Sequence, residues 1–358
     1  MNTAFDSKTK VAVAMSGGVD SSVAAALMIK EFGQKNVLGL TMKLFCYGEK
    51  VKEKNCCSLD AIDDARSVCQ KLGIAHYVVD VEKEFEKEVI DNFVSEYEKG
   101  RTPNPCIRCN KLIKFDHLLK KARDYGADTL ATGHYAKIKR NGSEYTLLKG
   151  EDLSKDQSYF LYNLDQKSLQ HTLFPLGELK KSDVRKIAGE YDLVTAQKVE
   201  SQDICFIPRT VGEFLAGKIN LKQGKIVDKA GKFYGEHKGL ALYTIGQRKG
   251  LGGGFPESMF VVGFNRDKRE LIIGPENELF GDKLSLEKVS WISANKPKLP
   301  LKCTAKIRYQ TDEAACLVVD NNKRISVEFD DAQKAITPGQ SVVFYQKDRV
   351  IGGGMISG

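Results

Sequence analysis

The chain has 358 residues, 42% hydrophobic and 28% charged, with 55 lysines and arginines against 47 aspartates and glutamates. That length supplies ample core for two or three domains, and a net charge of +8 permits a polyanionic partner. No apolar run reaches the roughly 18 residues that span a bilayer, and the opening Met-Asn-Thr-Ala-Phe-Asp-Ser lacks the blocks of a signal peptide. Nine cysteines, an odd number, sit badly with a secreted disulfide framework, so a cytoplasmic protein with catalytic or metal-binding thiols is expected.

The apolar run Val11–Ala14 leads through Ala14-Met15-Ser16-Gly17-Gly18-Val19-Asp20-Ser21 into Ser22-Val23-Ala24-Ala25-Ala26, a pattern of strand, tight loop and helix. Gly17 and Gly18 let the loop turn sharply and bring backbone N–H groups close to an anion, while the helix N-terminus adds the positive end of its dipole. Ser16, Ser21 and Ser22 add hydroxyl donors. No lysine follows the glycines, so this is not the common G-x-x-x-x-G-K-[ST] loop. Read alone, the segment is either a distinct phosphate grip or an ordinary glycine-rich turn.

Further strands are predicted at Val37–Met42, His76–Val81 and Thr129–Thr132, with amphipathic helices over Ser21–Glu31, Leu59–Leu72 and Phe85–Tyr97. This alternation implies a parallel sheet with helices on both faces, an α/β fold. Ligands of such sheets bind at the carboxyl ends of the strands. There lie the Ser-Gly-Gly loop, Met42-Lys43 after the second strand, and Gly133-His134 after the fourth.

Residues 100–115, Gly-Arg-Thr-Pro-Asn-Pro-Cys-Ile-Arg-Cys-Asn-Lys-Leu-Ile-Lys-Phe, read as a proline-stiffened loop running into a helix. Cys109 then lies near a helix start, beside Arg108 and Lys111, which together favour a thiolate. Cys205 follows the polar run Glu200-Ser201-Gln202-Asp203. Two chemistries stay open for Cys106, Cys109 and Cys205: a nucleophile with a resolving partner, or three ligands of an iron–sulfur cluster with one open iron site. A zinc site drawn from Cys56, Cys57, Cys106 and Cys109 is disfavoured, because adjacent cysteines rarely both ligate one tetrahedral ion. Cys46, Cys69, Cys303 and Cys316 fall in apolar patterns and read as core, and Lys180, Lys181 and Lys186 read as solvated surface.

From about residue 210 the pattern changes to short β-prone runs, including Gly224–Tyr234 and Leu240–Ile245, followed by the glycine-rich stretch 245–254. That stretch reads as a mobile loop in a small β-rich domain. After Gly281, alternating runs at Cys303–Tyr309, Ala315–Val319, Arg324–Phe329 and Ser341–Gln346 fit a compact β-barrel of roughly 75 residues.

Taken in order, these segments resemble the tRNA-specific 2-thiouridylases of the MnmA family, within the PP-loop ATP pyrophosphatases. The resemblance runs nearly end to end. It rests on the loop at 14–23, Gly-Arg-Thr-Pro-Asn-Pro with Cys-Asn-Lys-x-Ile-Lys-Phe, Ala-Thr-Gly-His-Tyr-Ala (131–136), Lys-Asp-Gln-Ser-Tyr-Phe-Leu (155–161), Ser-Gln-Asp-Ile-Cys-Phe-Ile (201–207), Tyr-Thr-Ile-Gly-Gln-Arg-Lys-Gly-Leu (243–251), Ile-Arg-Tyr (307–309) and the glycines at 352–354. It implies a PP-loop catalytic domain over 1–210, a small β-rich domain over 211–280 and a tRNA-contacting β-barrel over 281–358.

The resemblance also implies an activity: ATP adenylates the C2 oxygen of the wobble uridine, and sulfur then displaces AMP. Residues 14–21 would hold the ATP phosphates, with Met42 and Gly133 on the rest of the nucleotide and Mg²⁺ expected, Asp20 being its candidate ligand. Cys109 would be the nucleophile, and Cys205 would bear the persulfide or close a disulfide with it. Asn104, Pro105 and Cys106 would meet the flipped-out base; His134, Lys155, Asp156, Gln157, Arg308, Tyr309 and Gln340 would contact tRNA at its anticodon stem-loop. Sulfur would come from a cysteine desulfurase or a relay protein. Some members carry Asp where this chain has Cys106, which adds a soft ligand and tilts the expectation towards a [4Fe–4S] cluster. The other enzymatic reading is a PP-loop enzyme acting on a small-molecule amide or guanidine.

Overall fold

The computed structural model describes residues 6, 8–44, 59–198, 204–207, 209–253, 255, 257–321 and 324–357. Cys46, Cys56, Cys57 and the run 200–203 lie outside the described residues. Val11–Ala14 (β1), Val37–Lys43 (β2), Ala75–Asp80 (β3) and Thr129–Ala131 (β4) form parallel strands, close to the bounds expected from sequence. The side chains of β1 and β4 are almost wholly buried, as a parallel strand covered on both faces requires. Ala136–Asn141 (β5) and Glu144–Lys149 (β6) make a hairpin, and Thr172–Leu173 (β7) completes a sheet ordered β3-β2-β1-β4-β7.

The helix Val19–Phe32 (α1) follows β1, and the helix Leu59–Lys71 packs on β2 and β3. A continuous helix covers 82–98, and another covers 105–124 with π-helical turns over Cys109–Leu118. Widened turns of this kind gather at functional sites. Here they begin at Cys109.

The second sheet contains Gly224–Val227 (β8), Phe233–His237 (β9), Phe260–Asn265 (β10) and Glu270–Gly274 (β11), ordered β10-β11-β8-β9. Its core is Ile226, Leu251, Met259, Val261, Leu271 and Ile273. The strand expected at Leu240–Ile245 is instead a 3₁₀ turn at Leu240–Leu242. Leu242 N–H bonds to Gly239 O and Tyr243 N–H to Leu240 O, so the backbone satisfies itself locally without a partner strand.

The third sheet adds Phe280–Trp291 (β12), Leu301–Lys306 (β13), Ala314–Asn321 (β14), Arg324–Lys334 (β15), Ser341–Gln346 (β16) and Arg349–Ile356 (β17). These run antiparallel in the order β12-β15-β14-β13-β16-β17, and pairing of β12 with β17 closes a six-stranded barrel. Beyond β17 the β5–β6 hairpin joins the same sheet, Arg349 pairing with Leu148, so the barrel is welded to the first domain. The glycines at 352–354 are strand residues of β17. A Cβ on Gly353 would lie 2.4 Å from Val342 O and 2.7 Å from the Tyr162 ring, so only glycine lets the barrel close against that tyrosine. Among the described residues no helix is long and apolar enough to cross a membrane.

Candidate active site

The parallel register brings three predicted segments to one sheet edge. Ala14 pairs with Leu40, and Val13 with Ala131, so the loop after β1, Met42 at the end of β2 and Gly133 beyond β4 stand side by side. Met15 N–H bonds to Leu40 O and its side chain is buried with Val19, while Ser16 is exposed at the mouth of the loop. Gly17 holds φ +68, and a Cβ there would fall 2.3 Å from Ala61 O. Gly133 presses on the same loop: its Cβ would lie 2.8 Å from Asp20 C and 2.9 Å from Ser21 N.

Gly18 is the N-cap of α1 without a side-chain cap, so the first-turn N–H groups are left for an anion. The Ser21 hydroxyl accepts from Ser16 N–H at 3.1 Å and donates to Gly18 O at 3.0 Å, tying the turn together, and Ser22 Oγ also donates to Gly18 O. The residues present therefore fit a phosphate group.

Two lysines not expected from sequence complete the loop. Lys181, read above as surface, is largely buried, and its Nζ lies 2.7 and 2.8 Å from the two carboxylate oxygens of Asp20 and over the Tyr135 ring. Tyr135 OH donates to Asp20 at 2.8 Å. Asp20 is thus held by Lys181 and Tyr135 at the head of α1. Lys198 Nζ donates to Gly17 O at 2.9 Å and pairs with Asp64 at 2.5 Å. These cations come from 161 and 181 residues downstream of their partners on the loop, so no local spacing signals them.

Asn104 caps the helix at 105–124, its side-chain oxygen accepting from Cys106 N–H at 3.1 Å, with Pro105 buried in the first turn. Cys106 is exposed, Cys109 buried and Cys205 intermediate. Arg108 donates to Glu88 O at 2.7 Å and to the Glu88 carboxylate at 3.1 Å. Cys109 and Cys205 share one apolar cluster with Phe206, whose ring packs edge-on against Phe85, Phe93 and Phe214. Among the described residues no group of three His, Cys, Asp or Glu side chains is arranged to hold a metal.

The predicted tRNA residues divide. Asp156 is buried and accepts from Gly150 N–H, Ser158 N–H and Ser158 Oγ, while burial raises its pKa against those bonds. Gln157 Oε1 accepts from Tyr135 N–H. The His134 ring lies between Phe115 and Phe174 with Nδ1 2.6 Å from Thr132 Oγ1, and burial holds its pKa well below the usual imidazole value even though the residue keeps an exposed edge. Arg308 Nη2 and Gln340 Nε2 donate to backbone carbonyls, while Arg308 Nε is buried without a hydrogen-bond partner among the described residues. Tyr309 packs on Phe160, and Lys155 is partly exposed. Cys69 and Cys316 are buried, as the apolar patterns predict.

Three family models cover the chain: a tRNA methyl transferase HUP domain over 9–209, a tRNA methyl transferase PRC-barrel domain over 212–275 and an aminomethyltransferase beta-barrel domain over 281–356. The tRNA-specific 2-thiouridylase MnmA of Clostridium perfringens is 47% identical over 355 residues, covering 98% of this chain and 98% of that protein. That of Halothermothrix orenii is 48% identical over 356 residues, covering 97% and 98%. A solved structure, the U34-tRNA thiolase NcsA from Methanococcus maripaludis with its [4Fe-4S] cluster, aligns at 22% identity and TM-score 0.37 over 55% of this chain and 61% of that one, too distant to carry its cluster across. By identity along nearly its whole length, the chain belongs to the tRNA-specific 2-thiouridylase MnmA family.

Proposed function

We propose that this chain is an ATP-dependent tRNA uridine 2-sulfurtransferase in which Cys109 and Cys205 carry the sulfur chemistry. The observation that carries it is the uncapped glycine loop at the β1 edge, in a chain where buried Cys109 belongs to the apolar cluster against which partly buried Cys205 packs. The C2 oxygen of the wobble uridine attacks the α-phosphate of ATP and pyrophosphate leaves; the oxygen becomes part of a phosphate ester that can depart as AMP. The loop at 14–21 grips the phosphates, with Met42 and Gly133 beside the nucleotide. Lys181 and Lys198, paired with Asp20 and with Gly17 O and Asp64, hold the loop in the shape that receives the phosphates.

In this reading the terminal sulfur of a Cys205 persulfide attacks C2 and expels AMP. The Cys109 thiolate then attacks the Cys205 sulfur, releasing 2-thiouridine and leaving a Cys109–Cys205 disulfide, which an external thiol reduces. A sulfur-donor protein, a desulfurase or a relay, reloads the persulfide. The base is reached by flipping out of the anticodon loop onto the Asn104–Cys106 turn, an unstacking cost of a few kcal/mol. Exposed Cys106 faces this step without a covalent part in it. The barrel and the partly exposed Lys155 offer the tRNA-facing surface.

The test compares ATP–pyrophosphate exchange with and without tRNA and 2-thiouridine formation by iron-free protein. Exchange that needs tRNA, with Cys109→Ser and Cys205→Ser inactive and Cys106→Ser substantially active, is expected. Iron-dependent activity lost in all three variants would overturn the persulfide route, and tRNA-independent exchange would return the chain to a small-molecule substrate.

A further inference from the structure

The helix over 82–98 ends in a tight cap: Gly100 (φ +62) sends its N–H to Tyr97 O, and Arg101 sends its N–H to Glu96 O. Four residues later Asn104 opens the helix that carries Cys109. The strap between the two caps, residues 101–104, is gripped from outside its own domain. Thr102 N–H donates to Pro338 O at 2.9 Å, and Thr102 O accepts from Gln340 Nε2 at 2.8 Å, so both backbone polar groups of one residue are held by the barrel turn between β15 and β16.

The Thr102 hydroxyl meets Thr244 Oγ1 of the central domain at 3.1 Å. The Arg101 guanidinium bridges Glu96, which is 3% exposed, to Glu287 of β12. A Cβ on Gly339 (φ +91) would fall 2.9 Å from Arg101 Cβ and from Thr102 N, so the barrel turn is seated directly on the strap.

A second tier holds the jaws of this grip together. Arg308 Nη2 reaches Ile245 O at 3.1 Å and Ala335 O at 2.9 Å, and it also meets the Thr337 hydroxyl. Ile245 adjoins Thr244, and Thr337 adjoins Pro338. Arg308 therefore ties the two segments that hold Thr102 to each other.

We infer that Gln340, Arg308 and Thr102 are positioning residues of a three-domain clamp that fixes the base-receiving turn at 104–106, and the Cys109 helix behind it, relative to the tRNA-docking barrel. This rests on the reading of Cys109 and the 104–106 turn above. The seat of the cap decides where the helix starts, and a misplacement of 1 Å at the reacting atoms costs about a hundredfold in rate. The Arg308 Nη2 and Gln340 Nε2 donors face carbonyls inside the protein rather than solvent, so loss of the clamp lowers turnover more than affinity.

The test uses Gln340→Met, which keeps volume and charge but removes the donor, and Thr102→Val, which is nearly isosteric and removes the hydroxyl. Each is compared with the native chain for tRNA affinity and for the turnover rate of uridine thiolation. We expect turnover to fall at least about tenfold while the affinities for tRNA and ATP stay within about twofold. Weakened tRNA affinity at unchanged turnover would make Gln340 an RNA contact, and unchanged turnover in both variants would make the clamp a bystander; either result overturns the inference. Should Gln340→Met not fold, Thr102→Val alone decides. Failure of the functional reading itself is separate: the native chain would then form no 2-thiouridine.

Discussion

Gly17 and Gly18 are adjacent in one motif, yet the structure predicts opposite tolerance to a single methyl group. At Gly17 an alanine must adopt φ +68, which costs about 1–2 kcal/mol for an L-residue. Its Cβ would also lie 2.3 Å from Ala61 O, where ordinary contact begins at 3.4 Å, so loop and helix must part by about 1 Å. Overpacking of that kind adds about 1–3 kcal/mol. At Gly18 φ is −105 and the nearest atom to a new Cβ is Ser16 Oγ at 3.6 Å, so the only loss is a poorer N-cap, about 1 kcal/mol or less. Gly17→Ala should therefore cost about 2–5 kcal/mol in all. Because the displaced backbone is the phosphate grip, ATP affinity should fall at least about tenfold, each tenfold being about 1.4 kcal/mol. Gly18→Ala should stay within about threefold. Thermal melts with and without ATP, and calorimetric ATP titrations, read both quantities. Equal behaviour of the two variants, or native ATP affinity in Gly17→Ala, would refute the placement of the loop.

The Asp20–Lys181 pair should show a coupling of about 1–3 kcal/mol in an Asp20→Asn, Lys181→Met double-mutant cycle, discounted for the partial exposure of Asp20; additive losses would mean the pair does not matter. Arg308→Ala should lower Tm by several degrees through the loss of its hydrogen bonds while leaving the salt slope of tRNA binding unchanged, and a slope reduced by about one would return Arg308 to a phosphate contact. Burial holds the pKa of His134 below its ordinary 6.5, so between the folded value and 6.5 the unfolded chain binds the extra proton and stability falls as pH drops below about 6.5. His76 and His237 shift in the same direction, so His134→Phe should flatten only part of the decline in Tm between about pH 7.5 and 5.5; an unaltered profile would place the proton elsewhere. Native-state alkylation should modify exposed Cys106 first and leave Cys69, its thiol pushed up to about 12 by burial, untouched until unfolding; early labelling of Cys69 would contradict that packing.

The sequence by itself determined whatever is local or periodic. The apolar strands at Val11–Ala14 and Val37–Lys43, the glycine turn between strand and helix, and the proline-framed start of the Cys109 helix follow from side-chain alternation and from φ preferences of neighbouring residues. The alternation of strands and helices also fixed the parallel sheet, and with it the edge where Met42 and Gly133 meet the loop. Tertiary structure alone decided what each charged or polar side chain does. Lys181 looks like surface until the fold sets it on Asp20, and only the fold shows Gln340 Nε2 on Thr102 O and Arg308 Nη2 on Ala335 O. Gly352, Gly353 and Gly354 carry no side chain to alternate, so their strand shows only once the barrel closes on Tyr162. Periodicity reports which face of an element is buried, but the partner of a cation or an amide is set by contacts more than a hundred residues apart, and no spacing rule encodes these.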